Sequence, residues 1–242
     1  MDKTKFKRLY PKLRISHTLL SMFRANPATV TSPEAVAKYL LGVKQTGTNE
    51  MKWGSYVHEF VENNPPKGLQ YLIGEDILKN KLYYTEKKLT YSLSESTDLV
   101  GMIDLLTSEC FVDYKTGHTP PDNSQLEFYS LLLDKNNLWR DKAMFLNVDM
   151  VVAGKSMKYL FEEARLTEGD DHERYQYIKS LIASAKDTKD KYAICTLTRL
   201  VTLNKSYNST LAKARKVEAI LNRFIDKDLI QFYKSFRTKG LL

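Results

Sequence analysis

"FVDYKTGHTPPDNSQLEFYSLLL", Phe111 to Leu133, is the stretch that decides the fold. With Cys110 in front, "CFVDYK" is short and rich in β-branched and aromatic residues, which predicts a strand. Residues two apart in a strand share a face, so Asp113 and Lys115 project together while Val112 and Tyr114 point the other way. After a turn-rich loop with Gly117, Pro120 and Pro121, apolar residues return at helical spacing and predict a helix from about Asn123 to Leu133. That helix carries Gln125 and Tyr129 one turn apart on one face. An acid, a lysine and a glycine end an apolar run, and an amphipathic helix follows at once.

Upstream, "KLYYTEKKLTYSLS" and "DLVGMIDLLTS" predict two more strands. Asp104 lies late in the second. A hairpin through "TSE" brings Asp104 and Asp113 together at one end of a sheet. Two carboxylates and an ammonium on one face are a costly arrangement unless something offsets the like charges. A divalent cation does so, and Mg²⁺ favours one or two carboxylates completed by water and phosphate oxygens. Taken singly, Asp104 also reads as a strand-end turn residue, and Asp113 with Lys115 as a surface ion pair.

The flanks are mostly helical in pattern. "ISHTLLSMFRAN" has Ser16 as its cap and Pro27 beyond its end. "SPEAVAKYLLGV" starts at Ser32 and stops near Gly42. "NEMKWGSYVHEFVENNPP" is a further helix, ended by Pro65 and Pro66. After the Asn123 helix come expected strands near "AMFLNVDMVVAG" and "KYLFEEARLT". Three helices then follow, at "DHERYQYIKSLIASAK", "STLAKARKVEAILNRFI" and "DLIQFYKSF". The expectation is an α/β core with helical additions at both ends.

Charge and composition bound the function. The chain has 242 residues and a net charge of +8, and the excess lies at its two ends. Met1 to Arg14 holds six Lys/Arg against one Asp, and Thr196 to Leu242 holds ten against three acids. Basic flanks around a mildly acidic centre suit a polyanion held over a site that uses carboxylates. The same charges also read as solvated helix faces. Cys110 and Cys195 are the 2 cysteines, too few for a four-cysteine zinc or iron–sulfur site. No run approaches the roughly 18 apolar residues that span a bilayer, and the basic start lacks the form of a secretory signal. The expected location is the cytoplasm, with reduced thiols and no membrane partner.

Gly101-x-x-Asp104, then Asp113-x-Lys115 and Gly117, resembles the signature of the PD-(D/E)XK nuclease superfamily. "WGSYVHEFVE", with Gly54 and His58, and "QLEFY", with Gln125 and Tyr129, narrow the resemblance to the RecB-type exonuclease branch. It spans roughly Arg14 to Leu133. The resemblance implies a restriction-endonuclease-like core, a mixed central sheet flanked by helices, within one nuclease domain over 1–242. Its parts are a helical 1–50, a catalytic core at 51–165 and a basic helical 166–242. It further implies that His58, Asp104 and Asp113, with the Tyr114 carbonyl, bind Mg²⁺ or Mn²⁺. Lys115 then orients the attacking water, and Gln125 and Tyr129 hold Lys115 or the nearby strand in place.

The implied activity is DNA phosphodiester hydrolysis on single-stranded or end-frayed DNA, in recombination, repair or replication. An endonuclease, or a non-cleaving scaffold that binds DNA ends, are the alternatives. The implied partners are DNA and a recombinase or single-strand-binding protein, in a bacterial or phage-infected cell. The branch's four-cysteine iron–sulfur cluster is not expected. Several residues keep two readings: Tyr129 packs on the sheet or supports Lys115, and His58 is a ligand or a helix-face histidine. Glu86 is an extra ligand or an exposed strand acid. His118 touches phosphate or nothing specific, and Trp53 and Tyr56 stack on bases or pack inside.

Overall fold

The computed structural model describes residues 12–40, 49–117, 122–166 and 171–227. Seven strands form one mixed sheet: β1 (Leu13–Ile15), β2 (Tyr83–Ser94), β3 (Thr97–Thr107), β4 (Cys110–Lys115), β5 (Lys142–Val152), β6 (Lys155–Ser156) and β7 (Lys191–Thr202). β2, β3 and β4 form an antiparallel meander, and β4 lies parallel to β5. A parallel pair needs a crossover, supplied by α3 (Asn123–Lys135). The other long helices are α1 (His17–Ala25), α2 (Asn49–Asn63), α4 (Met157–Leu166), α5 (Asp171–Asp187) and α6 (Asn208–Lys227).

Each sheet face buries its own core. Leu19, Leu20, Phe128, Leu131, Val217 and Leu221 bring α1, α3 and α6 onto one face against Leu99, Ile103 and Phe111. On the other, α2, α4 and α5 meet Val112, Tyr114, Leu146 and Val148 through Trp53, Val57, Met157 and Ala185. β4 is buried along nearly all its length, which is why it reads as a near-continuous apolar run. The exception inside that run is Asp113.

The expected caps hold. Ser16 Oγ accepts the Leu19 N–H at 3.4 Å, and Ser32 Oγ accepts that of Ala35 at 3.3 Å. The short helix from Ser32 continues as a π-helical turn, Val36–Leu40.

Two expectations are corrected. "KYLFEEARLT" is not a strand: its described residues, Lys158–Leu166, are most of α4. Ser156 Oγ caps it by accepting the Tyr159 N–H at 3.1 Å, and Met157, Leu160 and Phe161, at helical spacing, pack on the second core. The stretch after 166, expected to be wholly helical, contains β7. Its pairing with β5 shifts so that Leu197 faces Leu146 and Arg199 faces Phe145. The Thr198 hydroxyl, left between them, donates to Phe145 O at 2.9 Å. This bulge breaks the alternation that marks a strand. Finally, β1 and two short helices, Leu69–Ile73 and Glu75–Lys79, had no sequence signal of their own. The helix expected at "DLIQFYKSF" and the loop residue His118 lie outside the described residues, as does most of the basic start.

Candidate metal centre

The centre begins with the β3–β4 hairpin. Leu105 pairs with Val112 and Leu106 with Phe111, a register that one step further sets Asp104 opposite Asp113. There the ladder gives way: Asp104 Oδ2 accepts the Tyr114 N–H at 2.6 Å. A side-chain carboxylate takes the place of a strand carbonyl, and it ties the two acid-bearing strands together at their open end.

Asp113 is 5% exposed. Its Oδ1 accepts from Gln125 Nε2 at 2.8 Å, while Gln125 Oε1 accepts from Lys115 Nζ at 3.0 Å. The glutamine amide therefore has one workable orientation, oxygen to the ammonium and nitrogen to the carboxylate. Lys115 Nζ also lies 2.7 Å from Asp113 Oδ2, although that oxygen takes no well-directed hydrogen bond. Tyr129 both packs and reaches the network. Its ring meets Phe111 edge-on at 5.7 Å, and its hydroxyl lies 3.5 Å from Gln125 Nε2.

His58 and Glu86 approach Asp104. His58 Nδ1 is 3.4 Å from Asp104 Oδ1 and 3.9 Å from Glu86 Oε1. Ligand atoms of His58, Glu86 and Asp104 all lie within 4.8 Å of one another. Asp113 is not in that trio; Gln125 and Lys115 engage it instead. Tyr114 buries its side chain in the second core, its ring edge-on to His58 at 6.1 Å, while its N–H bonds Asp104. Gly54 lets α2 come close, since a Cβ there would stand 3.1 Å from Thr116 Oγ1. Among the described residues, nothing requires glycine at 117, where a Cβ would meet open space.

Glu86 is the residue that sequence reasoning undervalued. It is partly buried and has φ +47°, the left-handed region, in the middle of a strand. The side-chain faces switch there. Leu89, Tyr91, Leu99 and Ile103 pack on the α3 face, whereas Tyr83 and Leu105 pack on the α2 face. Residues an even number apart in a regular strand cannot do that. Thr85 pairs with Leu105 and Lys87 with Ile103, so Glu86 and Asp104 sit across from each other at the switch. Only the strand pairing reveals it.

The electrostatics describe concentrated negative charge. Burial and the Asp104 charge push the Asp113 carboxyl up to about 6. Burial and then Asp104 also raise Glu86. At His58, burial favours the neutral ring, but the hydrogen bond and charge of Asp104, with Glu86 and Asp113 behind, outweigh it and raise the imidazole. Two carboxylates raised by the charge of Asp104, one with an oxygen lacking a directed bond, fit a hard divalent cation. The imidazole in the donor set suits Mn²⁺ as well as Mg²⁺.

Trp53 and Tyr56 pack inside. The Trp53 ring lies 5.1 Å from that of Phe161, and Tyr56 donates to Ala185 O at 3.1 Å. On α6, Arg215 and Lys216 are exposed and Lys213 is partly so.

Asp122 starts α3 and so sets Gln125. Its oxygens accept Ser124 N–H at 2.9 Å and Ser124 Oγ–H at 2.8 Å, and Arg24 Nη2 lies 2.8 Å away. Burial raises its carboxyl, but the Ser124 and Arg24 bonds outweigh that and hold it at about 2. Asp122→Ala is expected to lose about 1 kcal/mol of stability at pH 7. A carboxyl depressed in the folded state stabilises above its unfolded pKa near 3.8 and loses that contribution as pH falls through the folded value. The wild-type advantage in urea titrations should therefore hold at pH 7 and shrink as pH falls from about 4 towards 2. A constant deficit across that range would remove the linkage.

No protein-family model matches the chain, and no curated protein matches it. One solved structure, described as "Crystal structure of SSO0001", is similar at a TM-score of 0.33 and 11% identity, covering 74% of this chain and 79% of that one. A likeness that loose carries no argument.

Proposed function

We propose that the protein is a metal-dependent deoxyribonuclease of the PD-(D/E)XK type. It hydrolyses phosphodiester bonds from the ends of single-stranded or frayed DNA and leaves 5′-phosphate and 3′-hydroxyl ends. The observation that carries this is buried Asp113 paired with partly exposed Lys115, both locked by one glutamine and set beside Asp104, Glu86 and His58. The succession α2, β2, β3, β4, α3, β5 supports it, since the resemblance implies that order.

Asp104, Asp113 and His58, with Glu86 as an addition, are the residues that would hold Mg²⁺ or Mn²⁺. A bound ion of this kind polarises phosphate and lowers the pKa of its water. Lys115 presents its ammonium where charge develops on the phosphoryl oxygens, and it orients the attacking water. Gln125 fixes Lys115 and Asp113 relative to each other, and Tyr129 backs Gln125. The buried position of Asp113 keeps bulk water from screening these charges.

The test compares end-labelled linear DNA with circular single-stranded DNA under Mg²⁺ or Mn²⁺. Release of label from free ends, with circles intact and chelator abolishing it, is the expected result. Cleavage of circles would make the enzyme an endonuclease. Binding without metal-dependent cleavage would leave a DNA-end scaffold. His58→Ala and Glu86→Gln should each raise the metal concentration for half-maximal cleavage by at least about 10-fold. An unchanged requirement in either variant removes that residue from the ligand set.

A further inference from the structure

Tyr84 stands out among the exposed aromatic residues. It is 57% exposed, lies two residues before Glu86, and belongs to β2, which pairs with β3 alone among the described residues. Lys87 Nζ sits 4.5 Å from its ring centroid, a cation–π contact. That contact also fixes the side: Lys87 has the parity of Leu89 and Tyr91, which pack on the α3 face. Because the faces switch at Glu86, Tyr84 shares that side although Tyr83 packs on the other. It is the side on which Gln125 holds Asp113 and Lys115.

An exposed tyrosine is common, and by itself it is surface. Here two features distinguish it. The ring is braced by a cation on one side, and the backbone irregularity that aims Glu86 at the acids turns Tyr84 to the side of Asp113. Tyr84 pairs with Leu106, two residues from Asp104 along β3, so a base hanging from a phosphodiester at the acids lies beside this strand. An aromatic ring offers every base a stacking surface, and a lysine beside it attracts the adjoining phosphate.

Building on the nuclease assignment above, we infer that Tyr84 is a base-stacking platform that selects unpaired nucleic acid, with Lys87 as its phosphate contact. A paired base presents no free face, so the platform discriminates against blunt duplex and favours single strands or frayed ends.

Two measurements decide it. Anisotropy of short labelled oligo(dT) and of a blunt duplex is followed with Ca²⁺ as the ion. Hydrolysis of bis(4-nitrophenyl) phosphate, which has no base, is followed with Mn²⁺. Tyr84→Ala is expected to weaken oligo(dT) binding about 5- to 150-fold, with Tyr84→Trp retaining it. Duplex binding and small-ester hydrolysis should be unchanged in both. Oligo(dT) binding that survives Tyr84→Ala overturns the platform, as does an equal loss on the duplex. A wild-type protein that binds oligo(dT) through Tyr84 but hydrolyses neither DNA nor the ester overturns the nuclease assignment and keeps the platform. A wild type that binds no oligonucleotide overturns both.

Discussion

Asp113→Asn and Lys115→Ala are each expected to lower metal-dependent DNA cleavage by at least ~10³-fold, the scale of losing one member of a group that acts as a unit. The physical reason is their joint engagement. Gln125 bonds both side chains and Lys115 lies 2.7 Å from Asp113 Oδ2, so removing either leaves the other misplaced. Stability should move differently from activity. The Asp113 carboxyl is raised to about 6, so its charged form weakens the fold. The contribution of a raised carboxyl is fully present below the unfolded pKa near 3.8 and is lost as pH rises through the folded value. At pH 7 without metal, asparagine removes that charge and keeps an acceptor for Gln125. The variant should melt at or above the wild-type temperature under chelator. Near-normal turnover in either variant, with secondary structure intact, would remove the active-site assignment.

Gly101→Val is expected to damage stability and activity together. A Cβ at Gly101 would stand 2.6 Å from Leu132 Cδ1 and 3.2 Å from ring atoms of both Phe128 and Tyr129. Leu132 and Phe128 are 0% exposed, so neither has room to yield, and α3 must lift from the sheet. Overpacking of this kind costs about 1–3 kcal/mol, or roughly 2–4 °C in melting temperature per kcal/mol for a chain this size. The same lift carries Tyr129 and Gln125 away from Asp113. Cleavage should fall with stability, whereas a variant that melts normally and cleaves normally would show that α3 does not depend on the glycine.

Strand period put Asp113 and Lys115 on one face, and helix period put Gln125 and Tyr129 on one face, because both act over short range. That this helix face meets the acids rested on the resemblance. Two residues along a strand and four along a helix fix a face without tertiary information. Asp104 needed one hairpin, which a short turn supplies. His58 rested on resemblance alone, because no local rule docks α2 against a sheet whose first long strand starts some twenty residues later. Glu86 kept two readings, because its value depends on pairing with β3 and on a left-handed backbone that no periodicity predicts. β7 was hidden by the Thr198 bulge, and α4 was mistaken because "KYLF" has strand composition, while its cap, Ser156, lies outside that window.

The left-handed backbone at Glu86 sets two selective pressures against each other. An L-residue other than glycine, asparagine or aspartate gives up about 1–2 kcal/mol in that conformation, so glycine would relax the chain and make the sheet more durable. The same exchange deletes a carboxylate beside Asp104 and His58. A search for hardier versions of this protein would therefore be drawn to position 86, as to left-handed Lys81 and Ala153. Among descendants that no longer need that carboxylate, drift towards glycine or asparagine is expected here.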